Sequence, residues 1–267
     1  MSARPFDARR FAELRALRGL SFGEPLVYQA ATGSTNDDAL AAARTGARSG
    51  SLFVADYQWK GRGRRGKSWS AASGESLLFS ILVRPESPGP INAVTLAVGL
   101  GVRAALEPYS SEPLSVKWPN DVLAGARKLA GVLCEGQFHG TRLDVLVIGV
   151  GINVTEQAFP AELEGGAVSL AMLASGAMPR ASLLERELLL VDVLAGIEAR
   201  VTACLAGGLE ELLSEFSERD ALLGAHVSVS GVAPMTGVAR GIDAEGRLLL
   251  ETDGVVVPVT SGTVRFV

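Results

Sequence analysis

Residues 61–68 read Gly61-Arg62-Gly63-Arg64-Arg65-Gly66-Lys67-Ser68, and the first seven of them hold four cations and three glycines. Cations this dense repel one another, and the glycines add chain freedom. Such a loop is expected to be loose when empty and to close on an anion. The plainer alternative is a solvated surface turn. The string also satisfies G-x-x-x-x-G-K-[ST] and G-x-G-x-x-G, two phosphate-binding patterns. Both require a strand before the glycines and a helix directly after, because the helix N-terminus supplies part of the anion site. A strand is expected at 51–57, but Trp69 to Ser76 is turn-like and another strand follows. The missing helix argues against both patterns.

Four further segments carry polar groups where a chain end or glycine allows close approach. Lys117-Trp118-Pro119-Asn120-Asp121 ends a strand. Pro119 favours an extended Trp118 and removes a backbone donor, and Asn120 and Asp121 have turn chemistry. It reads as an ordinary strand–turn or as a rigid mount on which the Lys117 ammonium meets a phosphate or carboxylate. Lys128-Leu129-Ala130-Gly131 opens the next strand, with Gly131 leaving room for a ligand. Gly149-Val150-Gly151-Ile152-Asn153 ends another apolar strand, and Asn153 either reads an amide-like edge or caps a turn. Ser34-Thr35-Asn36 starts a helix, either as a cap or as hydroxyls facing a polar ligand.

Other chemistries find little support. His139 and His226 are isolated, so no hydrolase triad or zinc site can be drawn. Asp37, Asp38, Asp121 and Asp144 form no evident metal cluster, and no protein metal ligand is expected. Magnesium would arrive with nucleotide phosphates.

These segments sit in a chain of 267 residues, 48% hydrophobic and 20% charged, with net charge −4. The composition excludes disorder, and the acidic balance argues against a sequence-independent nucleic-acid binder. Cys134 and Cys204 suggest no metal or disulfide framework, which fits a reducing cytoplasm. The charged N-terminus shows no signal peptide. The longest uncharged stretch, Ser87 to Val102, is too short and too broken by proline and glycine to span a membrane.

Helices are expected over 7–18 with Asp7 as N-cap, 34–45, Ile91 to Leu106, and 181–220. Strands are expected at 25–29, 51–57, 77–84, 114–118, 121–123, 129–138 and 142–152. After Gly224, short strands split by glycine turns suggest a small all-β barrel. The class is α+β, with one unit over 1–220 and a second over 221–267.

Taken in order, Gly33-Ser34-Thr35-Asn36, Gln58, Gly61 to Gly66, Trp69, the Lys117 segment, the Lys128 segment and Gly149 to Asn153 resemble the biotin protein ligases. Any one motif is weak, whereas the ordered set across roughly residues 30–155 is specific. The resemblance implies a class II synthetase-like mixed-sheet catalytic domain and an SH3-like C-terminal barrel. It implies activation of biotin by MgATP to biotinyl-5′-AMP, then transfer to a lysine of a biotin carboxyl carrier domain, such as that of acetyl-CoA carboxylase. By the same resemblance Ser34, Thr35, Asn36, Gln58, Gly61, Arg62, Gly63, Arg64, Lys117 and Gly131 contact biotin. Arg64, Trp69, Lys117, Asn120 and Asn153 contact the nucleotide. Lys117 and Arg64 carry the catalysis. Family members with an N-terminal helix-turn-helix repress transcription; about 25 residues ahead of the first catalytic strand are too few for that fold, so a cytoplasmic monomer or weak homodimer without DNA binding is expected. A lipoate or octanoate ligase of the same fold and a biotin-responsive repressor are the alternatives. Gln58 and the arginine loop argue against the first.

Overall fold

The computed structural model describes residues 4–86, 90–140, 142–174, 184–231 and 234–267. Helix α1 (Ala8–Arg18) starts where the Asp7 carboxylate accepts a 2.9 Å hydrogen bond from the Arg10 amide. It stops at Gly19, whose φ of 65° suits a glycine. Then come β1 (Leu26–Thr32), α2 (Thr35–Arg44), β2 (Leu52–Gln58), β3 (Ser76–Val83) and α3 (Ile91–Leu106). Four strands follow: β4 (Leu114–Lys117), β5 (Asp121–Ala124), β6 (Arg127–His139) and β7 (Arg142–Asn153). Helices α4 (Leu170–Leu173), α5 (Arg186–Gly207) and α6 (Leu213–Arg219) come next. The chain ends in β8 (His226–Ser230), β9 (Met235–Ile242), β10 (Leu248–Thr252), β11 (Val255–Val259) and β12 (Thr263–Phe266).

Two sheets organise these elements. The first has seven strands in the order β1-β2-β3-β7-β6-β5-β4, parallel between β1 and β2 and antiparallel elsewhere. The second is antiparallel, ordered β11-β10-β9-β8-β12. The expected elements recur with two differences. The helical stretch expected over 181–220 is broken at Gly208, where φ reaches 81°, before a short turn leads into α6; residues 181–183 lie outside the described residues. The short helix α4, capped by the Ser169 hydroxyl, has too few residues to show a helical period.

Strand β3 is buried along its whole length, so its sequence shows no polar alternation. Its two faces still differ. Leu77, Phe79, Ile81 and Val83 join the main core beneath α3 and α5, while Leu82 packs under α2 with Ala39, Ala43 and Phe53. Strand β7 repeats the division: Leu146, Ile148, Val150 and Ile152 face the main core, and Val145 and Val147 face α2. Continuing along that second face brings Gly149, Gly151 and Asn153 into the open cleft.

Helices α3 and α5 cross backbone to backbone at Gly101 and Gly196. A methyl group on Gly101 would lie 2.6 Å from the Gly196 carbonyl oxygen and 2.8 Å from the Ile197 Cα. On the sheet side, a methyl on Gly99 would meet only the Val116 side chain, at 3.3 Å. Beside this core, Arg186 Nη1 donates to Asp56 Oδ1 at 2.7 Å, and Tyr28 OH donates to Asp56 Oδ2 at 2.6 Å. Burial first, then Asp56, pushes the Tyr28 phenol up to about 12. This linkage ties β1 and β2 to the start of α5. No helix among the described residues is long and apolar enough to cross a membrane.

Gly101→Ala should lower stability by about 2 kcal/mol, because the clash is with backbone and the helices must separate. Gly99→Ala should lie near zero, its smaller crowding offset by helix propensity of up to about 1 kcal/mol. Urea unfolding of both variants measures the contrast.

Candidate active site

The cleft on the α2 side of the first sheet is a cavity of about 410 Å³, within the usual size for a small-molecule site. Glycines set its floor. Gly131 of β6 and Gly151 of β7 lie opposite each other in register, and the Trp69 indole rests over both. A methyl on Gly151 would sit 2.6 Å from the indole, and one on Gly131 would sit 3.0 Å from it. Gly149 leaves the space that the Asn36 amide fills. Side chains at these three positions would displace the residues above them. This accounts for glycine within otherwise apolar strands.

The first turn of α2 forms one wall. Ser34 occupies the N-cap position without a side-chain capping bond, which leaves its hydroxyl to the cavity. Gln58, at the end of β2, accepts hydrogen bonds from the Thr35 amide at 2.7 Å and the Thr35 hydroxyl at 3.1 Å. Ser80 donates to Asn36 Oδ1 at 2.5 Å, and the Asn36 amide donates to Glu135 at 2.7 Å. This network is partly buried and orients the Gln58 and Asn36 amides before any ligand arrives.

The cation loop closes the opposite side. Arg62 pairs with Ser68 as an isolated bridge, the Gly63 amide donates to the Lys67 carbonyl at 2.7 Å, and residues 64–66 make one tight turn. No helix follows before β3, so the structural context that both phosphate-loop patterns require is missing. Gly61 lies under Trp69 rather than in the cavity lining, and its lack of a side chain lets the loop return across the Trp69 carbonyl.

Charge is sorted within the loop. Arg62 is held by Asp37 at 2.8 Å and Glu135 at 2.6 Å. Arg65 donates to the Ser230 carbonyl at 2.8 Å. The side chains of Arg64 and Lys67 line the cavity and make no hydrogen bond or ion pair among the described residues. Lys117 faces them from the β4–β5 hairpin, its ammonium 5.2 Å from the Phe266 ring centroid. Burial, and next the charge of Arg65, lowers the pKa of Arg64. Burial also lowers that of Lys117, against the opposing charge of Asp121. Both groups therefore gain when an anion enters.

The hairpin is rigid. Asn120 donates its amide to the Val132 carbonyl at 2.9 Å and accepts from the Val132 backbone amide at the same distance. Trp118 is buried, and its indole donates to the Gly246 carbonyl of the second sheet at 3.0 Å. Asn153 is buried and donates to the Val168 carbonyl at 3.0 Å and the Lys128 carbonyl at 3.3 Å. Asn120 and Asn153 thus line the cavity with their amide donors directed to backbone. The Trp69 indole N–H is buried and has no partner among the described residues.

The site also holds residues that the sequence did not single out for it. Lys128 lies 2.6 Å from Asp121 and 5.4 Å from the Trp69 ring centroid. Ser80, Glu135 and Asp37 set the Asn36 and Arg62 geometry, and Arg265 of β12 reaches the rim. Lys128 was legible, since it precedes Gly131 in a motif already noted; Ser80, Glu135 and Arg265 come in from strands distant in sequence, and Asp37 enters through the approach of the cation loop to α2. In all, seven lysines and arginines line the cavity against the single carboxylate of Asp121, in a chain of net charge −4. The cavity is therefore a concentrated cationic field suited to polyanions. Among the described residues no three His, Cys, Asp or Glu side chains group as metal ligands.

Comparison with known proteins agrees with this geometry. Residues 30–153 match the Biotin/lipoate A/B protein ligase family, and residues 223–267 match the Biotin protein ligase C terminal domain. A Mycobacterium tuberculosis protein named Biotin--[acetyl-CoA-carboxylase] ligase is 36% identical, over 88% of this chain and 86% of its own length. A Bacillus spizizenii protein named Bifunctional ligase/repressor BirA is 31% identical, over 91% of this chain and 74% of its own. The biotin protein ligase of Aquifex aeolicus, solved in complex with biotin and ATP, superposes with a TM-score of 0.78 at 28% identity, covering 91% of this chain and all of that one. Motifs, fold and relatives agree that the chain belongs to the biotin protein ligase family.

Proposed function

We propose that this protein joins biotin to a carrier protein in two steps, with MgATP as co-substrate. The observation that carries the reading is the pair of unneutralised cations, Arg64 and Lys117, facing each other across a glycine-floored cavity with a prearranged amide and hydroxyl wall. In the first step a biotin carboxylate oxygen attacks the α-phosphorus of ATP, and pyrophosphate leaves. Carboxylate and triphosphate repel each other, so cations must hold both, and charge on the phosphoryl oxygens must be met as it develops. Arg64 and Lys117 are assigned both tasks. In the second step a carrier lysine amine attacks the acyl carbon, loses a proton, and AMP leaves. No side-chain nucleophile is needed.

The ureido end of biotin is assigned to Ser34, Thr35, Asn36 and Gln58; Ser80 bonds Thr35 and Asn36, Glu135 bonds Asn36, and Gln58 is held by Thr35. The floor at Gly131 and the loop residues Arg62 and Gly63 lie against the ligand on this reading, while Gly61 acts behind them by letting the loop pass the Trp69 carbonyl. Trp69 is assigned to the nucleotide, with its buried unpartnered N–H as supporting detail. Asn120 and Asn153 are assigned to the same side through their remaining acceptors. Magnesium enters as part of the nucleotide substrate. Residues 1–220 serve as the catalytic unit and 221–267 as the unit that closes over it. The partner is a biotin carboxyl carrier domain, and the protein works in the cytoplasm as a monomer or weak homodimer that binds no DNA.

Purified protein should catalyse ATP–pyrophosphate exchange that depends on biotin. Exchange without biotin, or with lipoate alone, would refute the reading. Lys117→Ala should slow exchange by at least about a hundredfold and weaken biotin binding, the scale expected for one electrostatic donor of a few kcal/mol. Stopped-flow activation and calorimetry measure the two effects. Arg64→Gly should release the adenylate about tenfold to a hundredfold faster, as loss of one charge-assisted hydrogen bond implies. Random lysine labelling on a bystander protein, read by mass spectrometry, reports that escape.

A further inference from the structure

Arg65 differs from its neighbours in the cation loop. Its φ is 56°, in the left-handed region that few residues other than glycine occupy. Such a backbone persists only where surrounding contacts hold it in place. The contact present here is made by the side chain: Nη1 donates to the Ser230 carbonyl at the end of β8. The guanidinium also lies over Gly231, where an added methyl would come within 2.9 Å of Nη2. Gly231 is exposed, and its φ is not in the left-handed region, so it has no backbone need for glycine. Its bare Cα provides the seat for the Arg65 head.

The loop is thus tied at two points on two different sheets. Arg62 is bound to Asp37 and Glu135 on the first sheet side, and Arg65 to the second sheet. Arg64 lies between them in sequence, lines the cavity, and is the arginine of the three with no hydrogen bond or ion pair among the described residues. We propose that Arg65 is a positioning residue, a latch that fastens the cation loop to the C-terminal sheet and so holds Arg64 over the cavity. Closure of the loop and seating of the C-terminal sheet then become one event. The latch stands on the contacts themselves, while its effect on the adenylate rests on the ligase reading.

The test compares Arg65→Ala, Arg65→Lys and Gly231→Ala with the unmodified protein. Gly231→Ala keeps the Arg65 charge but pushes its flexible head off the seat, which separates latching from electrostatics. Amide hydrogen exchange without ligands is read at Gly63 and Trp69, whose amides bond across the loop to Lys67 and Gly61. Both Arg65→Ala and Gly231→Ala should speed exchange there by about tenfold, matching the loss of a charge-assisted bond of about 1.4 kcal/mol. Melting temperature should stay within a degree or two. Arg65→Lys, which retains a donor, should recover part of the protection. Both unlatched variants should release the intermediate several-fold faster with little change in biotin affinity. Unchanged loop exchange in Arg65→Ala and Gly231→Ala would overturn the latch. So would a raised KM for ATP in Arg65→Ala alone, which would assign Arg65 a charge effect only. If the unmodified protein lacks biotin-dependent exchange, the ligase reading fails, and the ligand-free exchange data still decide the latch.

Discussion

A cation left without a partner at the edge of a low-dielectric cleft is the condition on which this architecture turns. Most of the other described arginines have found a carboxylate or carbonyl: Arg186 meets Asp56, Arg200 meets Glu215, Arg84 meets backbone oxygens. Arg64 and Lys117 have not, and burial makes their charge less favourable than in water. Asp121 offsets part of that cost, and an incoming anion would offset more. Binding free energy for an anion is thereby concentrated between these two cations, and the nearby carboxylates are kept from neutralising them. Asp37 and Glu135 are held by Arg62, and Asp121 by Lys128.

The seven-stranded sheet provides the rigidity this requires. Its β3 and β7 strands are anchored on one face by the core under α3 and α5. The other face is free to change, on β7 from valines under α2 to glycines under Asn36 and Trp69, and on β3 from Leu82 under α2 to Ser80 bonded to Asn36. One strand pair therefore supplies both stability and a recessed floor. The polar wall is preorganised in the same way, because Gln58 and Asn36 already make partly buried hydrogen bonds that fix their dipoles.

Much of this was legible in the residues. The Ile91–Leu106 helix appears with the expected bounds, and Asp7 caps α1 as its side chain suggests. The cation loop, the Lys117 strand end and the glycines of β6 and β7 were each visible as separate signals. What the residues did not disclose arises from pairing at long sequence distance. Nothing near Glu135 announces that it meets Arg62, and nothing in Ser80 within an apolar strand marks it as the support of Asn36. The break in the helical stretch after Gly207 was open to detection from its glycine pair. Arg65 looked identical to Arg64 because composition cannot tell a head turned to another sheet from one turned to a cavity.

Trp118 and Lys117 are consecutive in the chain, yet one is anchored to Gly246 and the other faces the ligand space. A tilt of the smaller sheet would thus pass through a single peptide bond to the Lys117 ammonium in the cavity. The seating of the smaller sheet and the placement of that charge are therefore joined through adjacent residues, so a change at the Gly246 contact reaches the cavity without crossing the core.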